Sequence, residues 1–542
     1  MAAAQALARI VVHREARRAV AISVISLLVL LVLVPLPLTH AQPKSGGELA
    51  LVSTEEPDTL DPQKTGTAIT GQLMRYLGDT LITKDLKGNY IPALARSWTV
   101  SADGLTWTFQ LRNDVKFHDG SPFNAQAVKA SIERALSPDT MSPIAGSLFG
   151  PVADVQAAGD FTVTIKLKEP FAPFLDNLTD PRAMIVSPQA VRDLGDKFGR
   201  SPVGTGPFKF QEWRSADRII FARNPDYTWA PSTVHAGPPF VDRVVLRIMP
   251  ESAAQVAAFE RGELSVLALP PTDVRRLQGT NKYTIYSFLR KGVGLFMEFN
   301  VTKEPFSDIR VRRAVSHAIE KNSVLQIGLE GLGEVASGPL PPSIWGYWDG
   351  IKEYAPKYDP GKAKALLAEA GWQPGPDGML QKDGKPFSFV LYTAPIDTWT
   401  RSAQIVQSQL RAFGISMEIQ TFEFGTLLAK LKAGEHPAEF MGYTYTSPDI
   451  VQLWFHSSNI GTGLAFSHNK DSKLDSLIEA SRRETDQGKR LTIYRDIQKY
   501  VVDQVLWVPL WTNTNYIAVQ PNVQGAKTHP DGFLLLNDVW LK

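Results

Sequence analysis

Segments with a two-residue hydrophobic period and segments with a helical period follow one another along almost the whole chain. That interleaving decides the fold class before any motif is considered. Trp107, Phe109 and Leu111 alternate with Thr106, Thr108, Gln110 and Arg112. Phe161, Val163, Ile165 and Leu167 alternate with Thr162, Thr164, Lys166 and Lys168 after the turn signal Gly159-Asp160. Each run reads as a half-buried strand, and Asp103-Gly104 reads as a tight turn between two strands. Helices are equally legible. Ser307-Asp308 is a good N-cap pair, and Val311, Ala314, Val315, Ala318 and Ile319 then mark one face. Asp359-Pro360 starts a second helix lined by Leu366, Leu367 and Ala370 and stopped at Gly371. Two more cover Leu474–Ser481 and Leu491–Val502. The mixture means α/β or α+β, not two separate classes joined end to end. Pro- and Gly-rich loops punctuate the chain at 199–207, 224–239, 337–350 and 371–378. Tyr227, Trp229, Trp345, Tyr347, Trp348 and Trp372 fall in or beside them. Such rings either plug loop–core junctions or line a cleft for a small solute, and the sequence leaves both open.

The 542 residues suggest about three domains or lobes. There is no cysteine, which excludes disulfides, Cys-ligated zinc, iron–sulfur clusters and Cys nucleophiles. Lys+Arg total 57 against 55 Asp+Glu, a balance that argues against nucleic acid as a partner. The N-terminus departs from the rest. Arg9, Arg14, Arg17 and Arg18 precede an uncharged run from Ala19 to His40, with prolines at 35 and 37 and Thr39-His40-Ala41 behind them. This is the order of an export signal cut after Ala41. An uncleaved anchor is the other reading, since Ala19–Leu38 is just long enough to span a bilayer. Cleavage leaves 53 basic and 54 acidic residues. A mature protein free in the periplasm is expected, because without cysteine it cannot carry a lipid on that residue.

Motifs of chemistry are missing. The Gly-Lys pairs that begin at 361, 384 and 488 are followed by Ala363, Pro386 and Arg490, so there is no P-loop. Glu435-His436 continues as Pro437-Ala438-Glu439, without a second His at helical spacing, and no Gly-x-Ser-x-Gly elbow occurs. His118 reads as a turn residue. A carboxylate pair for glycoside hydrolysis stays open, because so many acids always offer candidates. The balance leans towards a binder with no cofactor and no metal.

The landmarks, taken in order, carry a resemblance. Leu60-Asp61-Pro62 is followed by Pro92-Ala93-Leu94-Ala95-Arg96-Ser97-Trp98, Asp103-Gly104-Leu105-Thr106-Trp107-Thr108-Phe109 and Val115-Lys116-Phe117-His118-Asp119-Gly120. Then come Pro202-Val203-Gly204-Thr205-Gly206-Pro207-Phe208, Asn224-Pro225-Asp226-Tyr227 and Pro305-Phe306-Ser307-Asp308-Ile309-Arg310-Val311-Arg312. The mature chain resembles the family-5 extracellular solute-binding proteins, the dipeptide, oligopeptide and nickel receptors of bacterial ABC importers. The resemblance implies a two-lobed periplasmic-binding-protein fold of type II, joined by a hinge, with an extra subdomain on lobe I. It implies lobe I at 42–290 with the subdomain near 83–198, lobe II at 291–511, and a return to lobe I at 512–542. It implies hinge closure around a small solute, peptide-like or saccharide-like, and delivery to membrane permease subunits served by separate ATPases. A monomer that catalyses nothing is expected. An exported hydrolase of saccharides or peptides, or a non-transport solute sensor, is the alternative.

Departures from the family pattern bear on the cargo. Dipeptide receptors place an Asp for the α-ammonium group after an aromatic residue. Here the segment Gly442-Tyr443-Thr444-Tyr445-Thr446-Ser447-Pro448-Asp449 is two residues shorter. The acid's position falls on Thr446 when anchored on Tyr443, and on Thr444 when anchored on Pro448. Those receptors also place an Arg three residues after a proline. Pro395 is followed by Ile396, Asp397 and Thr398 instead, with Arg401 one helical turn on as a possible substitute. A buried charge without a partner costs several kcal/mol. The expected site is therefore apolar ring surface from Tyr443, Phe424 and Trp399 with neutral hydrogen bonds from Thr444, Thr446 and Thr398. A standard free-dipeptide binder is not expected.

Overall fold

The computed structural model describes residues 42–529 and 531–542. The export signal and its cut after Ala41 lie outside the described residues. Among the described residues no helix is long and apolar enough to cross a membrane.

The first lobe is built on a four-stranded sheet in the order Glu48–Ser53, Arg243–Ile248, Arg218–Arg223, Phe208–Arg214. The first pair is parallel and the others antiparallel. A parallel pair needs a crossover connection. Here the connection holds a second, all-antiparallel sheet in the order Ala95–Val100, Thr106–Leu111, Thr162–Leu167, Val152–Ala157. Trp107, Phe109 and Leu111 point inward, as do Val163, Ile165 and Leu167. Phe161 does not join them. The strand starts one residue later, and that ring is 37% exposed. The Asp103-Gly104 turn forms with Gly104 at φ +72, and the Ser101 amide donates to the Thr106 carbonyl.

The second lobe centres on the order Trp507–Val519, Leu295–Phe299, Ala438–Met441, Ser388–Thr393, Ser416–Thr421. All nine residues of Leu295–Phe299 and Ala438–Met441 are buried, so these strands are covered on both faces. Helices Ile309–Ala318 and Pro360–Glu369 begin on carboxylate caps from Asp308 and Asp359. Gln487–Gln504 buries Tyr494, Ile497 and Val501 and leaves Leu491 41% exposed, so its apolar face starts later than the periodicity suggests.

One strand serves both lobes. The start of Trp507–Val519 pairs with Leu295–Phe299, and its end pairs with Val266–Ala268 and Thr284–Leu289. The register shifts between Leu295 and Phe296, a bulge at the place where the chain changes lobe. Residues after this strand return to the first lobe: Val523, Leu534, Leu536 and Val539 share a core with Leu49, Phe208 and Phe221. The second lobe's core also takes in Phe259, Leu267 and Val274, which the sequence reading placed wholly in lobe I.

Inside the second lobe Glu298 lies directly opposite Glu439 across the sheet. Both are fully buried, and none of their four carboxyl oxygens has a hydrogen-bond partner among the described residues. Burial raises the pKa of both, and the neighbouring carboxyl raises Glu439 further.

Candidate functional site

The loop leaving Ala438–Met441 is held against the chain that crosses from the hinge into the second lobe. The Tyr443 amide donates to the Val293 carbonyl at 3.0 Å and the Tyr445 amide to the Lys291 carbonyl at 3.1 Å. Two glycines make the approach possible. A Cβ on Gly442 would run into the Gly294 carbonyl, and one on Gly292, at φ +109, into the Tyr443 carbonyl. Tyr445 turns inward, with its hydroxyl 2.5 Å from the Pro339 carbonyl. Tyr443 turns outward. Its ring meets Trp454 edge-on at 5.6 Å and stays 38% exposed. Thr444 is exposed, and its Oγ1 accepts from Arg290 Nε at 2.8 Å and Nη2 at 2.6 Å. Thr446 is exposed beside it.

The first lobe answers with charges of its own. Asp180 caps the short turn Pro181–Ala183 and grips Arg182 through Nε at 2.9 Å and Nη2 at 2.8 Å. Burial lowers the Arg182 pKa, but Asp180 outweighs it, and Tyr443 adds to the rise from across the cleft. Lys84 pairs with Asp176 at 2.5 Å, and the Tyr90 hydroxyl donates to the same carboxylate at 3.3 Å. Lys291, on the crossing segment, donates to the Ser343 carbonyl at 2.5 Å. Burial lowers its pKa, more than Asp531 and Asp176 raise it. Asp449 pairs with Arg482 at 3.1 Å. Burial pushes that carboxyl up to about 6 against the pull of Arg482 and Arg490. Arg490 lies over the Trp345 ring at 5.1 Å, and Trp345 is 40% exposed. The lobes touch where the Ala172 amide donates to the Arg482 carbonyl at 2.7 Å. The cleft thus holds ammonium, guanidinium and carboxylate groups with two half-open aromatic rings.

Of the residues singled out from sequence, Tyr443, Thr444 and Thr446 come together on this one loop. Trp399 is 5% exposed and sits behind it, its ring 3.1 Å from where a Gly442 Cβ would be. It supports the loop and offers no open face. Thr398, the residue before Trp399, is half-buried, its carbonyl accepting from the Ser402 hydroxyl. Arg401 is tied to Asp397 at 3.0 Å and to Glu330 at 3.7 Å. Phe424 opens the helix Phe424–Lys432 and is 42% exposed. Arg290, Arg182, Lys84, Asp176 and Asp449 escaped sequence reasoning. Two signals stood in plain view: Arg290-Lys291 immediately before Gly292-Val293-Gly294, and the turn former Asp180-Pro181 before Arg182. With the Arg290 guanidinium on Thr444, the rim of the cleft carries a charge beside the threonines.

The model for bacterial extracellular solute-binding proteins, family 5 Middle, matches residues 89–462. The di/tripeptide-binding protein 2 of Pseudomonas aeruginosa (strain UCBPP-PA14) is 32% identical over 522 residues, covering 91% of this chain and 94% of that one. Among solved structures, the oligopeptide-binding protein AppA from Bacillus subtilis, in complex with a nonapeptide, superposes with a TM-score of 0.77 at 29% identity, covering 92% of this chain and all of that one. The periplasmic binding protein DppA from Helicobacter pylori, in complex with the peptide STSA, gives 0.75 at 28% identity, covering 92% and 98%.

Proposed function

The chain belongs to the bacterial extracellular solute-binding proteins of family 5, and on that premise we propose that it is the periplasmic receptor of an ABC importer for peptide-like solutes. The observation that carries the cargo assignment is the pair of cations beside the second lobe's loop. Among the described residues Arg290 and Lys291 donate only to neutral oxygens, of Thr444, Asn513 and Ser343, and suit a peptide carboxylate. The peptide-bound relatives support the same class. Tyr443, Thr444 and Thr446 are the cargo-facing residues of the second lobe. Threonine where dipeptide receptors place the acid means that a free dipeptide is not anchored there in the usual way.

Closure of the two lobes around the hinge strands delivers the loaded form to membrane permease subunits. Asp449, Asp176 and Asp180 each sit against a cation, which favours holding a solute over cutting it. Residues 1–41 direct export and are removed after Ala41, and the receptor works as a monomer.

The test is mass spectrometry of the solute that co-purifies with exported protein. Calorimetric titration with dipeptides, tripeptides, end-capped peptides and oligosaccharides follows. One peptide bound per chain, recovered intact, is expected. Binding confined to oligosaccharides, or steady cleavage of the bound peptide, overturns the assignment.

A further inference from the structure

The acid pair buried in the second lobe takes no part in the cleft, yet it sits on the strands that position the cleft loop. Glu298 lies opposite Trp507 on one side and Glu439 on the other, and Glu439 lies opposite Tyr392. One row of side chains therefore crosses four strands, from the start of Trp507–Val519 to Ser388–Thr393. Three residues beyond Glu439 the chain reaches Gly442 and the loop whose Tyr443 and Tyr445 amides are held by the Val293 and Lys291 carbonyls. Aromatic rings make a second connection. Trp507 stacks on Phe296 at 3.6 Å and meets Trp454 edge-on at 5.2 Å, and Trp454 meets the Tyr443 ring.

The polar atoms of this row have no partners. All four carboxyl oxygens, the Ser467 hydroxyl and the Trp507 indole nitrogen are buried without a hydrogen bond among the described residues. A carboxylate only accepts, so two facing carboxylates cannot bond to each other, whereas a proton on either one supplies the missing donor. Among the described residues no Lys or Arg hydrogen-bonds to either acid. The other titratable groups on the surrounding elements are Tyr392, His436, His468 and Lys303. His436 and His468 turn a ring nitrogen to the Phe466 and Leu431 carbonyls, at 3.0 and 3.1 Å. Burial, His468 and Lys303 keep His436 neutral. Trp454 and Phe455 of the helix Ile450–Phe455 lie against Trp507. The charges at that helix's ends point elsewhere, Asp449 to Arg482 and His456 to Glu479.

We propose that Glu298 and Glu439 share a proton and act as a latch on the loop Gly442–Thr446. Protonated, the pair ties the loop's strand to the strand entering from the hinge. Deprotonated, two facing carboxylates without a counter-ion repel, and the short strand Ala438–Met441, which ends in the loop, gives way. Burial raises the pKa of both acids, so the proton is kept through the ordinary carboxylate range and the hold weakens as pH rises beyond it. Cargo is then held more tightly in acid and neutral surroundings than in alkaline ones. That consequence rests on reading this loop as cargo-facing, whereas the latch itself does not.

The experiment needs no cargo. Hydrogen exchange of the full exported chain is followed by mass spectrometry at pH 6 and pH 9, each rate being divided by the intrinsic rate at that pH. Protection of the Tyr443 and Tyr445 amides is expected to fall at least about tenfold in the parent, the change that one unit of pKa carries. Glu439→Gln keeps the shape and brings an amide donor to Glu298. It is expected to hold its protection within about twofold between the two pH values. Glu298→Gln should behave alike and serves as the second variant, with thermal melts confirming that each folds. The helix Pro360–Glu369 and the strand Thr106–Leu111 are the references, expected to stay within about twofold throughout. No fall at Tyr443 and Tyr445 in the parent overturns the latch, and so does an equal fall in both variants. A fall shared by Pro360–Glu369 means that the pair only stabilises the lobe, and overturns it too. Each of these outcomes leaves the receptor reading intact, which stands or falls with the peptide titrations.

Discussion

Tyr443 has one ring edge committed to Trp454 and a ring surface left open to the cleft, which is the arrangement of a contact residue and not of a core residue. Tyr443→Ala is expected to cost roughly 1–3 kcal/mol of cargo binding, about 5- to 150-fold in dissociation constant by calorimetry. The melting temperature should stay nearly unchanged, because the ring is half outside. Arg290 and Arg401 make a sharper comparison. Arg290 donates to Thr444 on the proposed cargo-facing loop, whereas Arg401 is spent on Asp397 and Glu330. Arg290→Ala is expected to weaken binding about tenfold or more, and Arg401→Ala by less than about twofold. The reverse order would return the anchoring role to Arg401. These differences mark the limit of single-sequence reading at this scale. The burial of Trp399 was legible, since Trp399, Ser402, Ala403, Val406 and Leu410 repeat as one inward face of the helix Asp397–Arg411. The pairing of Arg290 with Thr444 was not. It spans 154 positions, and no local pattern encodes which distant segment a guanidinium will meet.

Among the secondary-structure elements, the two covered strands Leu295–Phe299 and Ala438–Met441 carry a chemical oddity. Their facing carboxyls, Glu298 and Glu439, lie next to Trp507 and Ser467, whose Nε1 and Oγ are also without partners. Burial raises the pKa of both acids, and the Glu298 carboxyl raises that of Glu439 further. In the unfolded chain a glutamate ionises near about 4.3. The fold therefore binds more protons than the unfolded chain above that pH. The stability that this pair contributes is fully present below the ordinary carboxylate range and is lost as pH rises into the neutral and alkaline range. Glu439→Gln removes one titration and keeps the shape. The midpoint of urea unfolding is expected to fall less between pH 5 and pH 9 in Glu439→Gln than in the parent. Parallel falls would show that the pair does not titrate in this window. A glutamate inside a strand reads from sequence as an outward residue. Here it is inward because strands covered on both faces have no outward side. The hinge strand was obscured for a related reason. Pro509 within Trp507–Val519 argues against a central strand, yet it sits opposite Phe296 beside the bulge, where the ladder is already irregular. Elements with a local cause, the Asp103-Gly104 hairpin and the capped helices at Asp308 and Asp359, stood out in the sequence.

At the scale of the whole molecule, three contacts join the segment Glu169–Ala172 of the first lobe to Arg482 and Arg483 of the second. The Ala172 amide meets the Arg482 carbonyl, the Arg482 guanidinium lies over Phe171 at 5.0 Å, and Arg483 faces Glu169 at 3.9 Å. The last pair is more than half exposed on both sides, so it adds little energy and can be replaced with little harm. The chain has no cysteine of its own, so Glu169→Cys with Arg483→Cys carries two spin labels and no others. A receptor that closes on its cargo populates an open form when empty, and binding shifts that population without creating a new state. Double electron–electron resonance is therefore expected to show a broad distribution reaching to long distances in cargo-free protein. Saturating peptide should collapse it to a single short distance, and the fraction of short distances should follow the calorimetric binding curve. One short distribution with and without peptide would mean that the lobes stay together when empty. Cargo would then have to enter through a local opening beside the hinge, and the permease could not tell loaded from empty receptor by the angle between the lobes.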